Sequence, residues 1–332
     1  MSALLEPICR REFDAAALMR EFPPRFSHAN KQVVYGISCP PGAEHAGRIT
    51  FSRWAATNPP AVIPADATVV EPRADYFGYE PAPAGRVEWY LNFSHSDLFC
   101  AYGGSLFAQD EMQVTEHPAL GALREALLKS DLEPLTVQHQ RPTPVLVAGV
   151  ERRCRVAINP DASQGRPNGL YGNNFGRAKP DVVAKATAAL VPPTVTNVLA
   201  MEAPTGGVGR YARREIDSIL LTAYTGFAAA GAESRQLSAA PPEVVVHTGY
   251  WGCGAYGGHR VLMAVLQVLA ARLAGLNRLV FHTGDAGGAA TFGKALAVLA
   301  TDLGVGAAPC PLEPVLGRLD ALAFQWGVSD GN

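Results

Sequence analysis

Charge is the scarcest commodity in this sequence. Only 17% of its 332 residues are Asp, Glu, Lys or Arg, and the formal net charge is -2. The 28 basic residues are scattered and form no run, so the electrostatic footprint of a nucleic-acid-binding surface is missing and no direct nucleic-acid partner is expected. Long hydrophobic runs are lacking too. The Ala-rich stretch from Val261 to Leu276 is broken by Gln267 and Arg272 and falls short of the roughly 20 apolar residues that span a bilayer, so no membrane segment is expected. Cysteine is sparse: Cys9, Cys39, Cys100, Cys154, Cys253 and Cys310 include no Cys-x-x-Cys pair and no Cys/His cluster at zinc-finger spacing. That predicts reduced thiols, no metal and no cofactor. Arg10, Arg11 and Glu12 arrive too early for a charged leader followed by an apolar signal core, so a cytoplasmic location is expected.

What is abundant is apolar. Hydrophobic residues make up 48% of the chain, a globular composition, and a chain of this length buries roughly three quarters of its unfolded surface. From residue 1 to about 85, short apolar runs alternate with Pro-rich breaks at Pro23-Pro24, Pro40-Pro41, Pro59-Pro60 and Pro81 to Pro83. This predicts one helix near Asp14 to Phe22, strands at Val33 to Ile37 and Ile49 to Trp54, and otherwise irregular wrapping, an N-terminal extension over residues 1–86 around a core over 87–332. Regular elements are expected from Val87 onward: strand Val87 to Phe93, helix Leu120 to Lys129, strands Pro144 to Val150 and Cys154 to Ile158, helix Pro180 to Leu190 and strand Val195 to Met201. The last third reads as helix Arg210 to Ala230, strand Val244 to His247, helix Arg260 to Ala274, strand Arg278 to His282 and helix Ala289 to Leu303. Such a βαβα run favours an α/β fold with a parallel or mixed sheet and helices on its faces.

Two constellations carry chemistry. Asp110-Glu111 follows a glycine turn, Gly103-Gly104, and lies just after an apolar strand. Neighbouring acids on a strand or turn point differently, so one acts while the other positions; an acid in a partly apolar pocket has a raised pKa and can protonate a leaving oxygen, as in glycoside cleavage. An Asp-Glu pair is ordinarily a solvated surface, which is the competing reading. The second constellation is Thr248-Gly249-Tyr250-Trp251-Gly252-Cys253-Gly254-Ala255-Tyr256-Gly257-Gly258-His259, placed between a strand and a helix. Backbone N–H groups in such a turn approach a diphosphate closely, and the helix N-terminus adds a favourable dipole. Gly252 to Gly257 is formally a G-x-G-x-x-G, with Asp285 available as a ribose-binding acid, so a nicotinamide-dependent oxidoreductase is a rival reading; too few residues follow Asp285 for a complete cofactor domain.

At this point the residues resemble a known family. Leu91 to Val114, Arg214 to Phe227 and Val244 to Asp285 are similar to the poly(ADP-ribose) glycohydrolases, macrodomain-fold enzymes that cleave the ribose–ribose bond of ADP-ribose polymers. The family's Phe-Ala-Asn corresponds to Phe93-Ser94-His95, its Gly-Gly-Gly to Phe99-Cys100-Ala101, and its Gln-Glu-Glu to Gln109-Asp110-Glu111. Its Thr-Gly-Asn-Trp-Gly-Cys-Gly-Ala-Phe-Gly-Gly-Asp loop corresponds to Thr248 to His259, differing at Tyr250, Tyr256 and His259. The resemblance implies a macrodomain-like three-layer α/β/α fold with a mixed sheet, Glu111 as general acid and Asp110 as the holder of ribose hydroxyls. It further implies that Gly254, Ala255 and Tyr256 lie along the diphosphate, that Gly252 and Gly257 are substrate-binding, and that Tyr171 and Phe281 lie on the adenine side. His95, Gln109, Phe99, Cys100 and Ala101 complete the implied substrate contacts.

The departures shape the expectation. Side chains on Phe99-Cys100-Ala101 must occupy space or force another loop path, so a mono-ADP-ribosyl or small ADP-ribosylated substrate, including an ADP-ribosylated protein, is expected over long polymer. His95 replaces an asparagine with a ring that titrates near neutral pH. An ADP-ribose-binding module without hydrolysis is the other rival. Among the remaining candidates, Cys100 beside His95 superficially resembles a thiolate nucleophile, and His117 is expected to open the helix at Leu120. His247 and His282 are expected to be satisfied core residues, while Arg210, Arg213 and Arg214 form a solvated helix turn or touch a phosphate.

Overall fold

The computed structural model describes residues 5–65 and 67–331. The first part of the chain forms β1 (Pro7–Asp14), α1 (Ala15–Glu21), α2 (Ala29–Ser38), β2 (Arg48–Trp54), β3 (Val62–Ile63), β4 (Val69–Arg73) and β5 (Arg86–Ser94). Then come α3 (Gln109–Glu116), α4 (Pro118–Leu127), the small hairpin β6 (Val137–Gln138) and β7 (Arg141–Pro142), β8 (Val145–Val156), α5 (Asn173–Arg177), α6 (Pro180–Ala186) and β9 (Thr187–Glu202). The last part holds α7 (Arg213–Leu237), β10 (Glu243–Thr248), α8 (Arg260–Leu273), β11 (Arg278–His282), α9 (Ala286–Ala297), β12 (Cys310–Pro311) and α10 (Leu312–Ala321).

Eight strands make one mixed sheet in the order β1-β2-β8-β9-β5-β10-β11-β4. Strands β9, β5, β10, β11 and β4 run parallel, while β1, β2, β8 and β9 pair antiparallel. Within the parallel half, β10 and β11 carry the continuous apolar runs Val244-Val245-Val246 and Leu279-Val280-Phe281, which are buried. On one face, Trp89, Leu91, Leu199, Val246 and Phe281 pack with Ile216, Ile219, Ala223 and Phe227 of α7 and with the almost wholly buried α8. On the other, Phe51, Val147 and Val198 meet Leu120, Leu123 and Leu127 of α4 and Leu18 of α1. The result is helices, sheet, helices, the three layers expected.

Several boundaries differ from the sequence reading. Val33 to Ile37 is helical: His28 accepts from Asn30 N, and Asn30, Lys31, Val34 and Ser38 face inward at helical spacing within α2. The two strands expected over 144–158 are one, β8, with its register shifted at Gly149, whose φ is +79°. Helix α6 stops at Ala186, where Thr187 opens β9; Ala188 and Ala189 pair with Arg155 and Cys154, a hydrogen-bonding option that Pro192 and Pro193 favour by denying the helix an onward path. Residues 1–86, read as mostly irregular, contribute β1, β2 and β4, which lie at both edges of the sheet. Among the described residues no helix is long and apolar enough to cross a membrane.

Candidate functional site

Strand β5 delivers the site. Alternate residues point to opposite faces, so while Trp89 and Leu91 enter the α7 and α8 side, Asn92 points toward α3. Asp110 and Glu111 are not on a strand or open turn as expected; they stand in the first turn of α3. Ala108, at the N-cap, has no side chain that can accept a bond, and Glu111 supplies half of a capping box instead: its Oε2 accepts from Ala108 N at 3.1 Å. Asp110 Oδ1 accepts from Asn92 Nδ2 at 3.1 Å, and Asn92 Oδ1 is buried with no hydrogen-bond partner. Gln109 splints helix to strand, its Oε1 accepting from Phe93 N at 2.7 Å and its Nε2 donating to Leu91 O at 2.9 Å. Both acids are buried. Burial first, and then the charge of Glu111, raises the Asp110 carboxyl well above the usual carboxylate range.

One site residue escaped sequence reasoning. Lys31, on α2, is fully buried; its Nζ donates to Tyr102 O at 2.8 Å and lies 5.2 Å from the Phe107 ring centroid and 5.9 Å from that of Phe175. Burial lowers its pKa to about 7, against the raising influence of Glu111 and Asp110. A cation is thus built into the site from the N-terminal segment. The inward helical face of α2 was the available signal, hidden because three of its members, Asn30, Lys31 and Ser38, are polar.

The rebuilt turn takes a path of its own. Phe99 adopts φ +58° and is fully buried, in the cluster with Leu98, Phe51 and Val147, while Cys100 and Ala101 are exposed. Arg124 holds both oxygens of Asp97 at 2.6 and 3.0 Å and also donates to Leu98 O. Burial, with the charges of Asp97 and Asp110, pushes the Cys100 thiol up, the wrong direction for a thiolate nucleophile. His95 turns back on its own loop, accepting from Asp97 N at 3.0 Å. An open hollow of about 640 Å³ beside this turn is lined by Arg25, Cys100, Ala101 and Arg124 but by neither acid nor the glycine loop, so it is a feature separate from the acids.

The glycine loop follows β10 as expected. Gly252 (φ +74°) and Gly257 (φ +66°) need the left-handed region, and a Cβ on Gly252 would stand 2.5 Å from that of Ala203. Trp251 is buried, its Nε1 donating to Met201 O at 3.1 Å, and His259 caps α8. Tyr256 feels the acids: burial and then the charges of Glu202 and Asp110 push its phenol up to about 12. Tyr171 arrives on another loop, which reciprocal backbone bonds between Gly172 and Phe107 tie beside the start of α3. Phe281 does not reach this space; it is fully buried, stacked on Phe292 with centroids 4.2 Å apart.

Other candidates are placed elsewhere. Asp285 caps α9, accepting from Gly288 N at 2.7 Å, which engages the carboxylate that an oxidoreductase would use for ribose. His117 joins α3 to α4; it is fully buried and its Nδ1 lies 2.8 Å from Gln113 O. His247 and His282 form a buried chain, Glu88 to His247 to His282 to Asp75, with contacts of 3.2, 3.0 and 2.7 Å. Arg213 pairs with Asp217 and Glu313, and Arg210 with Asp320. Among the described residues no group of three or more His, Cys, Asp or Glu is placed to hold a metal ion.

Comparison with known proteins gives this geometry a context. Residues 169–289 match the family described as poly(ADP-ribose) glycohydrolase (PARG), macro domain fold. The mixed eight-stranded sheet flanked by helices is accordingly a macro-domain-like α/β fold. Among solved structures, the chain is similar to the poly(ADP-ribose) glycohydrolase of Thermomonospora curvata, at 16% identity over 86% of this chain and 85% of that one, with a TM-score of 0.42. The poly(ADP-ribose) glycohydrolase of Deinococcus radiodurans in complex with ADP-ribose is also similar, at 12% identity over 87% and 95% of the two chains, with a TM-score of 0.42.

Proposed function

We propose that this chain, which carries poly(ADP-ribose) glycohydrolase family sequence over residues 169–289, binds an ADP-ribose-bearing ligand and hydrolyses the glycosidic bond at its distal ribose. The observation that supports the reading is that two buried acids at the start of α3 and Tyr256 of the glycine loop share one electrostatic environment, the charges of Asp110 and Glu111 adding to burial in raising the Tyr256 phenol. Glu111 acts as general acid: it gives its proton to the leaving oxygen as the C1–O bond breaks through an oxocarbenium-like state. It then takes a proton from the attacking water, so the carboxyl ends as it began. Asp110, fixed by Asn92, holds ribose hydroxyls. Lys31 supplies a compensating positive charge as the acids ionise.

With side chains on the turn that precedes the acids, a mono-ADP-ribosyl or small ADP-ribosylated substrate is favoured over long polymer. The test is Glu111→Gln. Its expected effect is a loss of turnover of roughly a hundredfold or more on mono-ADP-ribosylated protein, with calorimetric ADP-ribose binding retained. Unchanged turnover removes Glu111 from the chemistry, and binding without turnover in the unsubstituted protein identifies a binding module instead.

A further inference from the structure

The segment Gly327–Gly331 lies across the glycine loop. Its root is anchored by Trp326, which stacks on Tyr211 with centroids 4.1 Å apart and whose N donates to Gly209 O at 2.8 Å. From there Gly327 N donates to Gly257 O at 2.8 Å and Asp330 N to Gly254 O at 3.4 Å. The far end reaches α5, where Asn173 Nδ2 donates to Gly331 O at 3.0 Å, two residues beyond Tyr171. The segment therefore bridges the glycine loop and the Tyr171 loop.

The glycines of the loop fit this occupant closely. A Cβ on Gly254 would stand 3.0 Å from Asp330 Oδ2, and one on Gly257 would stand 3.1 Å from Gly327 O and Ser329 N. At both positions the space that glycine leaves open is filled by the chain itself, and the Asp330 carboxylate stands against the loop at Gly254. The charge of Asp330 also reaches Tyr171, where it adds to burial in raising the phenol. Every residue from Gly327 to Gly331 is nevertheless exposed, and exposed segments open at smaller cost than buried ones.

We propose that Asp330 is a specificity-determining residue of the site: the 327–331 segment is a built-in occupant of the glycine loop, its carboxylate takes the place of a ligand's phosphate, and an anionic ligand binds by displacing it. The inference rests on reading the Thr248 to His259 loop as the diphosphate cradle. Its consequence is a reduced apparent affinity, because only the opened fraction is competent to bind, together with discrimination against ligands too weakly anionic to compete.

The experiment is isothermal titration of the full chain and its Asp330→Asn variant with sodium pyrophosphate, ADP-ribose and, as an uncharged control, adenosine. The variant is expected to bind both anions roughly three- to tenfold more tightly, with adenosine unchanged and the gain shrinking at about 1 M salt. Equal or weaker anion affinity in the variant overturns the proposal. Tighter pyrophosphate binding while neither protein binds or cleaves ADP-ribose keeps it and discards the ADP-ribose reading. The reverse, ADP-ribose bound and cleaved alike by both proteins, keeps that reading and discards the role of Asp330. Failure of both proteins to bind either anion sinks the two together.

Discussion

Lys31→Met is the most exposing perturbation of the site, because its effect on stability should change sign with pH. In the folded chain the ammonium is buried and its pKa falls from 10.5 to about 7, whereas the unfolded chain keeps the ordinary value. A depressed lysine means that between about pH 7 and pH 10.5 the unfolded state binds more protons, so stability rises with pH across that window. The difference between the two values corresponds to about 5 kcal/mol of disfavour for the charged form below pH 7. Methionine removes that disfavour. It also leaves Tyr102 O without its donor, costing roughly 1–3 kcal/mol, and removes the cation from the Phe107 and Phe175 rings, roughly 0.5–2 kcal/mol. At pH 6 the variant should therefore be the more stable by about 2 kcal/mol, and near pH 10, where the amine is already neutral and only its hydrogen bond to Tyr102 O is lost, the less stable by about 1 kcal/mol. Urea unfolding at pH 6, 8 and 10 reads the crossover directly. A variant that is less stable at pH 6, by a margin that does not move with pH, would refute the buried cation.

Two further substitutions test the frame around the site. Gly252→Ala forces a Cβ to within 2.5 Å of the Ala203 Cβ at a φ of +74°, so a loss of roughly 3 kcal/mol is expected; a thermal midpoint within a degree or two of the original would mean the loop follows another path. Glu116 holds Arg152 at 2.8 Å and accepts from Val156 N at 2.8 Å, fixing α3 to β8 from inside. Glu116→Gln keeps the shape but strands the buried Arg152 charge, and chemical denaturation should register a loss of roughly 3 kcal/mol; no measurable change would show that the pair is not sequestered.

The parts of the fold legible in sequence were those whose surroundings are uniform. Val244-Val245-Val246 and Leu279-Val280-Phe281 read as strands because both of their faces are covered, so no polar residue interrupts them. Ile216, Ile219, Ala223 and Phe227 reveal α7 because one stripe packs on the sheet. Where a buried position is polar, the pattern fails. Val33 to Ile37 looks β-branched and apolar, yet the face that turns inward carries Asn30 and Lys31, residues that a hydrophobic stripe excludes. Asp110 and Glu111 were identifiable by type, but their helical setting was not, because Ala108 replaces the Ser or Thr that marks a capping box. The crossing of 327–331 over Gly254 and Gly257 involves residues far apart in the chain, and no local periodicity encodes it.

The rebuilt turn shows how such departures act together. A phenylalanine at φ +58° costs roughly 1–2 kcal/mol of backbone strain, but full burial of its ring contributes roughly 2–3 kcal/mol, so the packing of Phe99 beneath the turn more than offsets the conformation. The ring is thereby withdrawn beneath the turn, and the side chains that the turn leaves exposed are those of Cys100 and Ala101. Neither can be pushed aside easily, because Arg124 grips Asp97 and Leu98 O just before them and Lys31 grips Tyr102 O just after. A turn anchored on both sides and from below keeps its shape when a ligand arrives. Under the proposed hydrolase reading, selection between a single ADP-ribosyl group and a polymer would then fall to two small, fixed side chains, and under the proposal for Asp330 the exposed 327–331 segment would govern entry of the diphosphate.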